Sequence, residues 1–327
     1  MGNDKRAALK KLKNLYLSPK MDLNDFRIRI DETFSSVFLP NNVECEEKTY
    51  RITKCDVLSP EMFSSNRVLL YIHGGSFVAG SRKAYRPFVA ALANATASKA
   101  FLPEFQLAPA HPFPSSLEDV QHVFQSVYIE TETALSMTAN GEGFAKVPEI
   151  LIMADSSGAS IALALLYSLK GKFREAVRQV VLFSPWLDFS EENDIFTSKK
   201  VSDELFTADS VRLCSEHYTY QENWKNPLVS PLKAGRDLLL DFPPLFIQMA
   251  DKELFYDDAV TFQSMLRNLG RKCELDIWKG MPPLFQLADE ELSESHLAVE
   301  RIGKLITAKD HSKESVHEIQ LELEKTL

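Results

Sequence analysis

From Arg67 onward, short continuous apolar runs alternate with longer stretches whose apolar residues recur every three or four positions. The runs cover residues 68–72, 100–105, 149–154, 179–184, 244–250 and 273–278. Runs of about five to seven residues without polar alternation fit strands buried on both faces, and the amphipathic stretches supply the helices that cover them. Three such helices are predicted at 84–97, 160–169 and 257–269, the last stopped by Gly270 as a C-cap. The pattern predicts an α/β fold with a mostly parallel central sheet and helices on both faces.

Other segments depart from this alternation. Residues 1–45 read as helical, with Leu9, Leu12, Leu15 and Leu17 roughly on one face and lysines on the other. Residues 50–57, YRITKCDV, alternate and predict a strand. A polar, helix-prone insert at about 190–225, rich in Glu, Asp and Thr, interrupts the strands in the position of a lid. The predicted organisation is therefore cap helices at 1–45, a main domain at 46–308 containing the insert, and a charged tail at 309–327.

Composition narrows the class. Of 327 residues, 45% are apolar and 25% charged, enough for a full core. Lys plus Arg total 37 against 46 for Asp plus Glu, and the net charge of −9 argues against a nucleic-acid partner. No apolar stretch approaches the roughly 18 residues of a membrane span. The first residues, MGNDKRAALKKLKNLYL, lack the apolar region of a secretory signal, and Arg6 stands where a myristoylation motif has Ser or Thr. Cys45, Cys55, Cys214 and Cys273 form no C-x-x-C pair, which argues against a zinc or redox motif. We expect a cytoplasmic protein with reduced thiols, no metal and no cofactor.

Two motifs carry chemistry. The run ending at Ala154 leads into Asp155-Ser156-Ser157-Gly158 and a small-residue helix start. A serine on a tight strand-to-helix turn projects its hydroxyl above the sheet edge, and its neighbours must be small to permit the turn. The helix beginning there adds backbone N–H groups and a positive dipole end. About 80 residues earlier, another run ends in Ile72-His73-Gly74-Gly75-Ser76-Phe77, with Gly80 following. Glycines after a strand let backbone N–H groups approach a developing oxyanion unobstructed. His73 reads as a turn-packing residue rather than a base.

In this order the motifs resemble the hormone-sensitive-lipase family of α/β hydrolases, and the likeness runs from about Arg67 to Ile306. YIHGGSFVAGS looks like that family's oxyanion loop, and the words at 105–114, 184–186 and 226–231 fall where the family has similar ones. The resemblance implies an α/β-hydrolase fold with a helical cap built from the N-terminus and the insert. It also implies a serine carboxylesterase or lipase with Ser156 as nucleophile and the N–H groups of Gly74, Gly75 and Ser157 as oxyanion hole. The family's triad acid maps to Glu253, with Asp251 as the alternative.

The family's base maps to Pro283, within Gly280-Met281-Pro282-Pro283-Leu284-Phe285-Gln286 and thirty residues beyond Glu253. Proline has no side-chain nitrogen to take the serine proton. Of the seven histidines, His296 lies thirteen residues past Pro283 and is expected to face solvent. The expected function is a serine carboxylesterase/lipase-like hydrolase of small acyl esters with impaired catalysis. The alternative is a non-catalytic protein binding a small hydrophobic ligand on the same scaffold, a role for which the family has a receptor precedent. A homodimer is left open, and so is a purely interacting protein that works through its tail.

Overall fold

The computed structural model describes residues 3–35, 38–138, 147–196, 203 and 205–324, with side chains described to residue 308. Eight strands form one sheet: β1 (Val43–Tyr50), β2 (Thr53–Pro60), β3 (Arg67–Ile72), β4 (Lys99–Pro103), β5 (Glu149–Asp155), β6 (Val177–Phe183), β7 (Leu245–Ala250) and β8 (Cys273–Trp278). Their spatial order is β1-β2-β4-β3-β5-β6-β7-β8. β2 pairs antiparallel with β1 and β4, and every other pairing is parallel. The helices are α1 (Asn3–Leu12), α2 (Leu23–Phe34), α3 (Arg82–Ala95), α4 (Ser115–Thr138), α5 (Ser156–Ser168), α6 (Lys172–Glu175), α7 (Ala208–Tyr218), α8 (Arg236–Leu239), α9 (Tyr256–Asn268) and α10 (Ser293–Glu324). This is the α/β-hydrolase arrangement, with α3 packed on α10 and α4 on α5. No helix among the described residues is long and apolar enough to cross a membrane.

All six apolar runs are strands. The alternating stretch 50–57 is not one strand but the corner of a hairpin. Tyr50 pairs with Thr53 across a two-residue turn in which Arg51 adopts φ 57°. The strand before it, β1, is an edge strand whose residues Glu44, Glu46 and Glu47 are exposed, so it has no apolar run. Charges on an edge strand discourage pairing with another chain. The N-terminal segment accordingly ends at Asn42 rather than residue 45. Helix α5 begins at Ser156, four residues before the predicted 160, because it is buried almost throughout and shows no amphipathic period.

One ion cluster joins the antiparallel edge to α3. The buried carboxylate of Asp56 on β2 accepts from Arg82 and, at 2.6 Å, from Arg86, while Arg82 also reaches Glu47 and Glu104. The N-terminal segment straps the loops at the other end of the sheet. Arg27 on α2 donates to the carbonyls of Val78 at 2.7 Å and Ala108 at 3.0 Å. Lys5 and Lys11 on α1 donate to those of Gly280 and Ala288. Tyr16 shares a 3.4 Å hydrogen bond with Thr207, the N-cap of α7 in the insert. Residues 197–202 and 204 of that insert lie outside the described residues, as do the side chains of the tail that begins at 309.

A close backbone approach sits where the end of β3 meets α5. A Cβ on Gly158 would lie 2.2 Å from the Ile72 carbonyl oxygen, with no flexible side chain to yield. Gly158→Ala is therefore expected to destabilise the fold by roughly 2–3 kcal/mol in urea unfolding, because overpacking against backbone cannot be relieved locally. A change below 0.5 kcal/mol, the ordinary range for surface substitutions, would contradict that contact.

Candidate active site

The parallel pairing of β3, β5, β6, β7 and β8 brings their C-terminal ends to one edge of the sheet. That edge carries the 73–80 loop, Ser156, Ser184, the 251–255 turn and the loop containing Pro283. Ser156 stands between β5 and α5 with φ 48°, in the left-handed region that costs a residue with a Cβ. Strain of this kind at a strand-to-helix turn is what lifts a serine hydroxyl above the sheet. The small neighbours have a visible cause, since Gly158 abuts both Ile72 and His73 backbone.

The 73–80 loop is wound tightly, with Gly75 at φ 113°, Ser76 at 57° and Phe77 at 65°. The Gly75 carbonyl accepts from Val78 and Ala79 amides, closing the turn. The Gly74 N–H, expected as an oxyanion donor, instead donates to Asp155 Oδ1 at 2.8 Å. Among the described residues, the amides of Gly75 and Ser76 have no hydrogen-bond acceptor. The Ser157 amide lies in the first turn of α5, where backbone N–H groups have no intrahelical partner. The Ser157 hydroxyl accepts from Phe77 N–H at 3.1 Å and so ties the loop to the turn. Ser76 was not among the expected donors. Its signal in the sequence is its place as the third residue after His73, in the run of small residues that follows β3.

Asp155 is the anchor of this arrangement. Fully buried, it accepts from Tyr71 Oη at 2.8 Å, Tyr85 Oη at 3.0 Å and the Gly74 amide. Burial pushes its carboxyl up to about 6, against the downward pull of those donors. His73 is buried between the rings of Phe105 and Tyr85, at centroid separations of 4.3 and 5.2 Å, with Nδ1 donating to the Gly74 carbonyl at 2.7 Å. Burial lowers its pKa to about 4, so the ring is neutral at pH 7 and serves to pack the turn.

The insert reaches the same loop through aromatic contact. Phe77 stacks on Tyr218 of α7 at 3.9 Å and meets Trp186 and Phe189 at 5.3 and 5.2 Å. The Tyr218 carbonyl also accepts from the Phe113 amide at 2.8 Å.

The two candidate acids differ in surroundings. Glu253 is buried, and its Oε1 accepts from the Ala250 amide at 2.6 Å and from Ser184 Oγ at 2.8 Å. Burial raises its pKa to about 8, and the charge of Asp203 pushes the same way. Asp251 instead accepts from the Gly280 amide at 2.8 Å in an exposed bond, tying its turn to the one beyond β8. Pro283 is buried in the loop between β8 and the 3-10 helix Phe285–Glu291. His296 is exposed on α10, 3.8 Å from Asp289. Ser184, the donor to Glu253, was also not foreseen. It sits at φ 44° directly after β6, a local echo of the Ser156 turn.

Residues 69–287 match a family model described as the alpha/beta hydrolase fold. An esterase of Acinetobacter venetianus is 27% identical over 248 residues, covering 76% of this chain and 77% of its own. An acetyl-hydrolase of Streptomyces hygroscopicus is 26% identical over 240 residues, covering 73% and 75%. Among solved structures, an esterase from the bacterial hormone-sensitive lipase family superposes with a TM-score of 0.79 at 24% identity. That superposition covers 94% of this chain and 98% of the other.

The buried Glu253 carboxyl makes stability depend on pH. Its proton is held more tightly in the folded chain, about 8, than at the ordinary 4.5. The stabilisation is thus fully present below about pH 4.5 and is lost as pH rises through 8. Glu253→Gln keeps an acceptor oxygen for Ala250 and Ser184 but cannot ionise. Between pH 6 and 9 the unmodified chain should lose on the order of 2–3 kcal/mol more than this variant in chemical denaturation. Parallel losses in the two proteins would show that Glu253 does not ionise across this range.

Proposed function

The chain belongs to the alpha/beta hydrolase fold family, and from that premise we propose that it is an esterase/lipase-like serine hydrolase of small acyl esters whose catalysis is impaired by proline at position 283. The observation that carries this reading is the left-handed turn at Ser156 together with the amides of Gly75 and Ser76, which have no acceptor among the described residues. In this reading Ser156 Oγ attacks the acyl carbonyl carbon. The charge that develops on the carbonyl oxygen is held by the amides of Gly75, Ser76 and Ser157, with Gly74 withdrawn from that role by Asp155. Donors fixed in place before the reaction need no reorganisation when the charge appears.

The step that lacks a carrier is proton transfer. Glu253 is the acid that would support an imidazole, and Asp251 is the alternative, assigned here to holding the Gly280 turn. With proline at 283 no imidazolium forms beside the acid, and a carboxyl with a pKa near 8 stays neutral at pH 7. Serine at its free pKa is a weak nucleophile without a base. Losing a triad member typically leaves roughly 10³–10⁴-fold acceleration over water, from the oxyanion donors and binding. The same proline favours a second reading, in which the scaffold binds a small hydrophobic ligand and does not cleave it.

In either reading the segment before β1 and the insert at about 190–225 form the cap, held by Arg27 on one side and Phe77 on the other. The four cysteines are free, in keeping with a reducing compartment such as the cytoplasm.

Hydrolysis of p-nitrophenyl acetate and butyrate tests the assignment. The unmodified chain should run near background. Pro283→His should raise the rate at least about 10²-fold, since a positioned base is worth roughly 10²–10⁴-fold. Adding Ser156→Ala should cancel the gain. Strong turnover that survives Ser156→Ala would remove the serine mechanism, and turnover lost on His296→Ala would place the base there. Saturable ester binding with no turnover in either the native or the Pro283→His chain would select the second reading.

A further inference from the structure

Helix α7 belongs to the insert, yet one turn of it meets two consecutive residues of the 73–80 loop. Tyr218 stacks on the Phe77 ring at 3.9 Å with the planes 20° apart, closer and more nearly parallel than Trp186 or Phe189. Cys214, four residues earlier and so on the same helix face, interacts through its thiol with the Ser76 hydroxyl. Both α7 residues are buried. Tyr218 is itself anchored, since its carbonyl accepts from the Phe113 amide at 2.8 Å and the Phe113 ring meets its own at 6.0 Å.

The two loop residues differ in what else holds them. Phe77 donates its amide to Ser157 Oγ at 3.1 Å, and its carbonyl accepts from the Ala108 amide at 3.1 Å. Its backbone is therefore fixed by the main domain. Ser76 makes no backbone hydrogen bond among the described residues, through either its amide or its carbonyl. Both residues carry a Cβ and lie in the left-handed region, at φ 57° and 65°. Such backbone persists only where its surroundings over-determine it. Around Ser76 those surroundings are its chain neighbours and α7, with Cys214 on its hydroxyl and Tyr218 on the ring of the next residue.

We propose that Tyr218 is a positioning residue: through Phe77, and with Cys214 bracing Ser76, it sets the direction in which the Ser76 N–H points. The insert then supplies part of the oxyanion geometry of a site built on the main domain. This rests on the reading of Ser76 as an oxyanion donor. Such a donor acts only when aimed at the place where charge develops. Loss of the stack therefore lowers turnover rather than ground-state binding. The stack needs the ring of Tyr218 and not its hydroxyl, so Tyr218→Phe keeps the effect and Tyr218→Leu removes it.

The direction of the Ser76 N–H bond is read in the ¹⁵N-labelled full chain from its residual dipolar coupling, in the alignment frame set by the sheet amides. Tyr218→Leu should move that coupling off its native value, and Tyr218→Phe should leave it in place. Cys214→Ala should move it in the same way and decides the matter if Tyr218→Leu fails to fold. The kinetic readout uses p-nitrophenyl acetate and the Pro283→His chain. There Tyr218→Leu should lower kcat about 10²-fold, as loss of an oxyanion donor does, with KM changed by less than about threefold. Tyr218→Phe should retain kcat. The proposal is overturned by a Ser76 coupling unchanged in the folded variants, by Tyr218→Phe doing as much damage as Tyr218→Leu, or by a raised KM with kcat held. Absence of turnover in Pro283→His would count against the serine reading alone, and the dipolar couplings would still decide whether Tyr218 positions Ser76.

Discussion

Asp155 holds together the parts of the sheet edge on which the serine turn depends. Its carboxylate receives one hydrogen bond from the strand beside it, one from α3 and one from the loop after β3. Two donors come from β3 and the loop that directly follows it and the third from α3, so a single buried carboxylate ties these elements to the Ser156 turn. The desolvation cost is visible in the upward displacement of its pKa to about 6. Three donors limit that displacement, as expected for a carboxylate whose charged form is hydrogen-bonded. Gly74 must be glycine for the clamp to close, since a Cβ there would sit 2.3 Å from Asp155 Oδ2.

Next to Gly74, the amides of Gly75 and Ser76 have no acceptor among the described residues, and the surrounding contacts hold the loop in place. Arg27 grips the Val78 carbonyl from one side, and Phe77 is wedged among Trp186, Phe189 and Tyr218 on the other. Ser157 adds a third restraint through its hydroxyl. The loop thus holds left-handed backbone at Ser76 and Phe77 because hydrogen bonds and ring packing over-determine it. At the far side of the edge, Glu253 is equally well seated by Ser184 and Ala250 but sits in a dry environment. The two buried carboxyls differ in the number of donors around them, and Asp155, with the more, is displaced less.

The parallel strands were legible because they are buried on both faces and carry uninterrupted apolar runs, and β8 appears at residues 273–278 as read. The edge strand β1 was not, since its glutamates face solvent and leave no periodic signal. At the site, the placing of Ser156 and Gly75 could be read from the spacing of small residues. The diversion of Gly74 to Asp155 could not, because it depends on two tyrosines brought in from β3 and α3. Arg27 and Ser184 were invisible for the same reason. Their partners lie 51 and 69 residues away, and only the folded chain brings them together.

The central proposal is that Glu253 is the acid of a serine site whose base position, 283, holds proline. The most direct test follows the Glu253 carboxyl by ¹³C NMR across pH 3–10 in the native chain and in Pro283→His. The account predicts titration near 8 in the native chain and a fall of at least about two pH units once a histidine stands opposite, because a neighbouring positive charge favours the ionised form. A Glu253 carboxyl that titrates identically in both proteins would contradict it.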